Sequence, residues 1–180
     1  MKIAFPYTGY WPYVRRGVER CTHDLATFLA GRGHEVHVIT STPGRPRVAW
    51  DGDVKVTYLS QLNHPIVYKY SPLLRVDLFA VGATKVMRRE RPDVAWLWTY
   101  SGIRWASLLR RFWNLPYIYH VSVYWERGRG HLIFPELPGA NRVLALNHHA
   151  AEQVEQEFKV ECSVLSPPVD TYFFLSLIHI

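Results

Sequence analysis

"YVRRGVERCTHDLATFLAGRGHEVHVIT", residues 13–40, runs from the pair Arg15-Arg16 through Gly17 into a helix-like run and then a strand-like run. From Val18 the apolar residues Val18, Cys21, Leu25, Phe28 and Leu29 recur at helical spacing, with Glu19, Arg20, His23, Asp24 and Thr27 off the stripe. That pattern predicts a helix with one buried face. Gly31 and Gly33 supply the permissive backbone at which helices end. "HEVHVIT", residues 34–40, is β-branched and mostly apolar, as a strand covered on both faces should be. With "KIAFPYTG", residues 2–9, upstream, the unit is a strand, a helix and a strand.

The same rhythm continues along the chain. "DVKVTYLS" predicts a third strand, and Ser71-Pro72 opens a helix to about Glu90, with Ser71 as cap and Pro72 in the first helical position. "PDVAWLWTY", "LPYIYHVSV", "GANRVLALN" and "VECSVLSP" read as further strands, and "SGIRWASLLRRFW" and "HHAAEQVEQEFK" as helices. This alternation predicts one α/β domain, a Rossmann-like, doubly wound parallel sheet with helices on both faces. The stretch from Thr42 to Gly52 is the loosest and receives no strand.

At 180 residues, 48% apolar and 20% charged, the chain has enough material to bury one full core and too little for two large ones. Two cysteines, Cys21 and Cys162, form neither a CxxC nor a disulfide framework, which fits a reducing compartment. Few apolar residues precede Pro6, and no run approaches the length of a membrane span. The expected location is the cytoplasm.

The formal charge of +6 is spread in small groups: Arg15 and Arg16, Arg45 and Arg47, Arg88, Arg89 and Arg91, Arg110 and Arg111, Arg127 and Arg129. Helix C-termini favour such cations through their dipole, so "MRRERP" and "LLRRFW" suit solvated helix ends. The other partners this charge suits are phosphates and anionic headgroups, with peripheral contact at the inner membrane face. Nucleic acid is not expected, because no RNP, helix-turn-helix or zinc-finger pattern accompanies the charge.

In such a sheet, ligands bind outside the carboxyl ends of the strands. Those ends are expected at Tyr7 to Gly17, Thr40 to Pro43, Trp98 to Ser101, Ser122 to Gly130 and Asn147 to His149. Gly17 stands where the chain turns into the first helix, whose unpaired N–H groups and dipole favour a phosphate or carboxylate. Arg15 or Arg16 would add charge. No G-x-G-x-x-G dinucleotide fingerprint, P-loop or GxSxG elbow is present. His34 and His37 would point to opposite faces, and His148 and His149 are adjacent at a helix start, so no metal site is expected. Strand alternation puts Trp96 and Trp98 on one side, Trp96 in the core and Trp98 either in the core or as an aromatic platform for a ligand.

The segments "RGVERCTHDLATFLAGRGHEVHVIT", "RPDVAWLWTYSGIRWASLLRR", "LPYIYHVS", "ANRVLALN" and "VLSPPVDTYFF" occur in that order. Each resembles the corresponding part of the amino-terminal domain of family 4, GT-B fold, retaining glycosyltransferases. The resemblance covers about residues 2–174. In that family the first motif reads roughly G-G-V-E-R with a later R-G-H-E-V, and the last reads P-N-G-V-D. Here Arg16 replaces the first glycine of the pair, and Trp96 and Trp98 stand where the family often has two histidines. The family's histidine after the fifth strand falls at Ser122, with His120 two residues earlier on the same side.

The resemblance implies an acceptor-side domain of an enzyme that moves a sugar from a sugar nucleotide, with retention, to a hydroxyl of a glycan or lipid-linked acceptor. It implies catalytic positions at His120 and Ser122, and substrate-binding positions at Arg16, Gly17, Trp98, Tyr100 and Asn147; read from the residues alone, His120 is either a site residue or a core histidine satisfied by a hydrogen bond. The sugar nucleotide is a co-substrate, with no metal or further cofactor expected. In such enzymes the donor is held mainly by a second Rossmann-like domain with an E-x7-E motif, so this chain is expected to be truncated and inactive alone. Residues 1–174 are expected to form the domain. "LSLIHI", residues 175–180, resembles a translated adapter fragment and is expected to be a non-native tail. An alternative of a different class is a stand-alone module that binds an anionic or aromatic ligand without turnover.

Overall fold

A computed structural model describes residues 1–60, 72–98, 106–123, 125–130 and 134–167. The predicted rhythm becomes an eight-stranded sheet with the spatial order β3-β4-β2-β1-β5-β6-β7-β8. The strands are β1 (Lys2–Pro6), β2 (Glu35–Thr42), β3 (Arg47–Asp51), β4 (Val54–Ser60), β5 (Val94–Trp98), β6 (Tyr117–Val121), β7 (Arg142–Ala145) and β8 (Cys162–Val164). The helices are α1 (Gly17–Gly31), α2 (Pro72–Glu90), α3 (Ala106–Trp113) and α4 (His148–Phe158). The chain winds outward from β1 in both directions, so the order reverses between β1 and β5. Parallel crossovers are right-handed, and opposite directions of winding therefore put α1 on one face of the sheet and α2, α3 and α4 on the other.

Two apolar clusters result, one under each helix layer. On the α1 side lie Phe5, Val38, Val56, Trp96 and Trp98, and on the other side Ala4, Ile39, Ala83, Met87, Leu97, Tyr119 and Val154. Adjacent residues such as Ala4 and Phe5, or Trp96 and Leu97, fall in different clusters because successive strand side chains alternate. Leucine, valine and aromatic side chains on both sides account for the near-continuous apolar runs in β1, β2 and β5.

Two local readings are corrected. The stretch from Thr42 to Gly52, expected to be loose, contains β3, which pairs antiparallel with β4 from Arg47↔Tyr58 to Asp51↔Val54. Its tight turn uses Gly52 at φ +56°, in the left-handed region that glycine adopts without strain. Helix α1 packs the predicted stripe on the sheet through Val18, Cys21, Leu25 and Leu29, but its most deeply buried residues lie one position further along and Phe28 departs from the stripe. Glu19, Thr22 and Ala26 are its buried residues, while Phe28 is exposed and carries the Arg32 guanidinium over its ring. Small and hydrogen-bonded side chains let the helix approach the sheet closely: Thr22 donates its hydroxyl to the Val18 carbonyl at 2.7 Å. The helix expected over 101–113 is described from Ala106, and the expected domain end at 174 and the tail lie outside the described residues.

Candidate functional site

The carboxyl edge at the switch between β1 and β5 is where an open α/β sheet leaves a crevice for a ligand. The loop after β1 leads into α1 there. Arg16 is the residue before the helix, with extended backbone (φ −131°, ψ 171°) and no side-chain capping bond. Its guanidinium is mostly exposed and sits 3.7 Å from a Glu19 carboxylate oxygen. Gly17 is exposed, and a Cβ built on it would meet nothing within 4 Å. The start of α1 is thus an open helix N-terminus carrying partial positive charge beside an exposed arginine that pairs with Glu19.

Beneath this turn the loop is tightly packed. A Cβ on Gly9 would lie 2.7 Å from Oε1 of Glu19, so only glycine lets the loop close over that buried carboxylate. Burial, followed by the nearby Glu19 charge, pushes the Tyr7 phenol up to about 12. On the outer side of the loop Trp11 lies between Arg15 and Arg20, at 5.8 and 5.1 Å from the ring centroid. Arg47 lies 4.2 Å over Tyr58, whose ring meets Tyr13 edge-on. The charges at this end are held against aromatic faces, an arrangement that favours cations with part of their hydration removed.

Further along the edge, the expected residues separate. Trp98 is 1% exposed and gives no platform to a ligand, because it stacks on His120 at a centroid distance of 4.2 Å. His120 is itself buried. Burial pushes its imidazole down to about 4, with a hydrogen bond to the Leu165 backbone acting in the other direction. Ser122 follows the end of β6 and is half-buried. Asn147 caps α4, its side-chain oxygen accepting the Ala150 N–H at 2.9 Å. That bond closes the N-terminus of α4 in the way that the start of α1 is left open. Tyr100 lies outside the described residues. The structure therefore brings Arg16 and Gly17 together, and His120 and Trp98 together, in two different settings.

The segments Ser122 to Gly130 and Asn147 to His149, expected at the ligand edge, form a cleft whose lining side chains the sequence reading did not single out. The cleft, of about 410 Å³, runs between the loop after β6 and α4, lined by Trp125, Arg127, His149, Glu152, Gln153 and Gln156. The loop is anchored there: Trp125 Nε1 and Gly130 N both donate to the Glu157 carboxylate, and Gln153 donates to the Trp125 carbonyl at 2.8 Å. The signal was present as polar residues at positions 149, 152, 153 and 156, the spacing of one helix face. An aromatic ring with amide, carboxylate and guanidinium groups around it is the equipment for binding polyhydroxylated molecules. Among the described residues no three His, Cys, Asp or Glu side chains gather to hold a metal ion.

No curated protein matches the chain in sequence. Among solved structures, a sucrose-phosphate synthase chain from Thermosynechococcus elongatus superposes with a TM-score of 0.68 at 14% identity, over 99% of this chain and 94% of that one. A second sucrose-phosphate synthase structure from that organism gives 0.69 at 16% identity, over 91% of this chain and 47% of that one. The catalytic domain of Starch Synthase IV from Arabidopsis thaliana, bound to ADP and acarbose, gives 0.66 at 11% identity, over 95% and 52%. The present chain thus spans about half the length of the latter two, and at these identities the likeness is one of fold. The family model described as Glycosyltransferase Family 4 matches residues 15–173. The chain belongs to that family.

Proposed function

We propose that the chain is the acceptor-side unit of a retaining glycosyltransferase, one that moves a sugar from a sugar nucleotide to a hydroxyl of a glycan or lipid-linked acceptor. The observation that carries this reading is the open start of α1 at the switch between β1 and β5, where Gly17 leaves room for close approach and Arg16 stands exposed. A departing diphosphate develops negative charge, and the Gly17 N–H, the α1 dipole and Arg16 stabilise it without reorganising. Ser122 faces the acceptor hydroxyl from the end of β6. His120, buried under Trp98, acts as a positioning residue that fixes the end of β5 rather than as a group touching substrate. The cleft along α4 holds the remainder of the acceptor. The donor is held by a second Rossmann-like unit; the starch synthase chain, about twice as long as this one, is bound to ADP and acarbose.

The test is a transfer assay with radiolabelled sugar nucleotides, run on the 180-residue chain and on a longer protein that contains residues 1–174 followed by a second Rossmann-like unit. Turnover is expected from the longer protein alone. Transfer by the 180-residue chain would overturn the two-unit reading. Binding of anionic ligands with no turnover by either would favour a stand-alone binding module.

A further inference from the structure

We propose that β3 is a docking edge for a second copy of this chain, the two β3 strands pairing antiparallel about Ala49. Strand β3 is the last in the sheet and is hydrogen-bonded to β4 on one side. The outer side of such a strand presents N–H and C=O groups that can template another strand. Its exposed face is apolar: Trp50 is 68% exposed and Val48 53% exposed. A tryptophan left in water at a sheet edge is an unusual expense for a monomer and an ordinary anchor for an interface.

The choice of occupant rests on the sequence symmetry of "RVAWD". In an antiparallel pair centred on Ala49, Arg47 faces the partner's Asp51, Val48 faces the partner's Trp50, and two-fold symmetry repeats each pair. A parallel, in-register pairing would instead set Arg47 against Arg47 and Asp51 against Asp51. The charged side chains are already held near the edge by their own chain. Arg47 lies over Tyr58, and Asp51 accepts from Tyr10 at 3.0 Å. Because directly opposed residues in a strand pair share a face, the two-fold axis stands perpendicular to the sheet. The α2, α3 and α4 layers of both copies then lie on the same side of one continuous sheet, while the two carboxyl edges point in opposite directions.

The test is sedimentation equilibrium of the full 180-residue chain from micromolar to hundreds of micromolar, with melting curves as the folding control. The wild type is expected to show a monomer–dimer equilibrium. Trp50→Lys, at a position exposed in the monomer, is expected to weaken it by about tenfold or more. Arg47→Asp sets like charges face to face and is expected to weaken it as well, whereas the double variant Arg47→Asp/Asp51→Arg restores the pairing. A wild type that stays monomeric throughout overturns the proposal, as does a dimer unaffected by Trp50→Lys. A folded double variant no better than Arg47→Asp overturns the assigned register.

Discussion

Trp98 and His120 face each other across the β5–β6 register and stack 17° from parallel with their ring centroids 4.2 Å apart. The pair seals the α1 side of the sheet just below its carboxyl edge, with Trp96 6.0 Å from His120 on the same side. His37, in β2, is the other buried histidine among the described residues, its Nε2 2.8 Å from the Thr57 hydroxyl. Burial pushes both imidazoles from 6.5 to about 4.

The sign of the resulting pH dependence is fixed. Below pH 6.5 the unfolded chain binds a proton at each histidine that the folded chain refuses until about pH 4, so stability falls as pH drops through that window. Each histidine is expected to remove about 2 kcal/mol between pH 6.5 and pH 5 by linkage. Urea unfolding at several pH values measures it. His120→Phe keeps an aromatic ring on Trp98 and is expected to roughly halve the slope. An unchanged slope would mean that His120 accepts its proton in the folded state.

Gly9, in the loop before α1, and Gly17, at the start of α1, are expected to behave differently. The Cβ of Gly17→Val meets nothing within 4 Å outside its own turn of helix, so the variant should melt close to wild type, yet it projects a branched side chain into the space where a phosphate would approach. In the longer protein it is expected to cut transfer strongly while leaving the fold intact. Gly9→Ala drives a methyl into the Glu19 carboxylate, which has no solvent into which to move, and should cost about 1–3 kcal/mol. Unchanged turnover in folded Gly17→Val would reduce Gly17 to a turn residue.

Glu90, at the end of α2, holds three parts of the chain together. Its carboxylate lies 3.0 Å from Lys55 on β4 and 3.6 Å from Lys2 on β1, with Arg89 beside it. The Lys55 hydrogen bond is the main cause that takes its pKa from 4.5 down to about 2. A depressed carboxylate stabilises the fold above its unfolded pKa, and that contribution disappears as pH falls from about 4.5 through 2. Glu90→Gln is expected to cost about 1–3 kcal/mol at pH 7 and close to nothing at pH 2. A pH-independent difference would assign the effect to packing instead of charge.

The fold was legible because periodicity reports burial directly. Apolar runs in β1, β2 and β5 required a sheet covered on both faces, and the start of α1 was marked by the change of period at Gly17. β3 was missed because five residues with charged ends carry little apolar signal, although Asp51-Gly52 is a strong hairpin dipeptide. The burial of Glu19, Thr22 and Ala26 beside the α1 stripe was illegible for a related reason. A stripe of large apolar residues marks the side a helix turns inward, but Thr22 and Ala26 decide how near it comes. At the site, the open N-terminus of α1 was readable from Arg16-Gly17 alone. The burial of Trp98 depends on its stacking with a residue in the next strand, 22 positions away in register.

The outer face of α3 makes a membrane prediction. Among the described residues of α3, Ala106 and Leu109 are buried, while Leu108, Phe112 and Trp113 are exposed, Phe112 by 72%. Arg110 is tied to the Gly139 carbonyl and Arg88 lies 5.5 Å from the Trp113 ring, so Arg111 and Arg88 are the cations that accompany the apolar face. No described helix is long and apolar enough to cross a membrane. An aromatic and basic face of this kind suits the headgroup level of an anionic bilayer, with the rings in the interface and the guanidinium groups on phosphate. The expected result is co-sedimentation with anionic vesicles and not with neutral ones. The association should fall as salt rises, since exposed charges are screened beyond about 10 Å at 0.1 M. Phe112→Ser is expected to reduce binding at every salt concentration by removing the insertion, whereas Arg111→Glu should reduce it mainly at low salt. Equal recovery in the supernatant under all conditions would assign these residues to a solvated face and favour a soluble glycan over a lipid-linked acceptor.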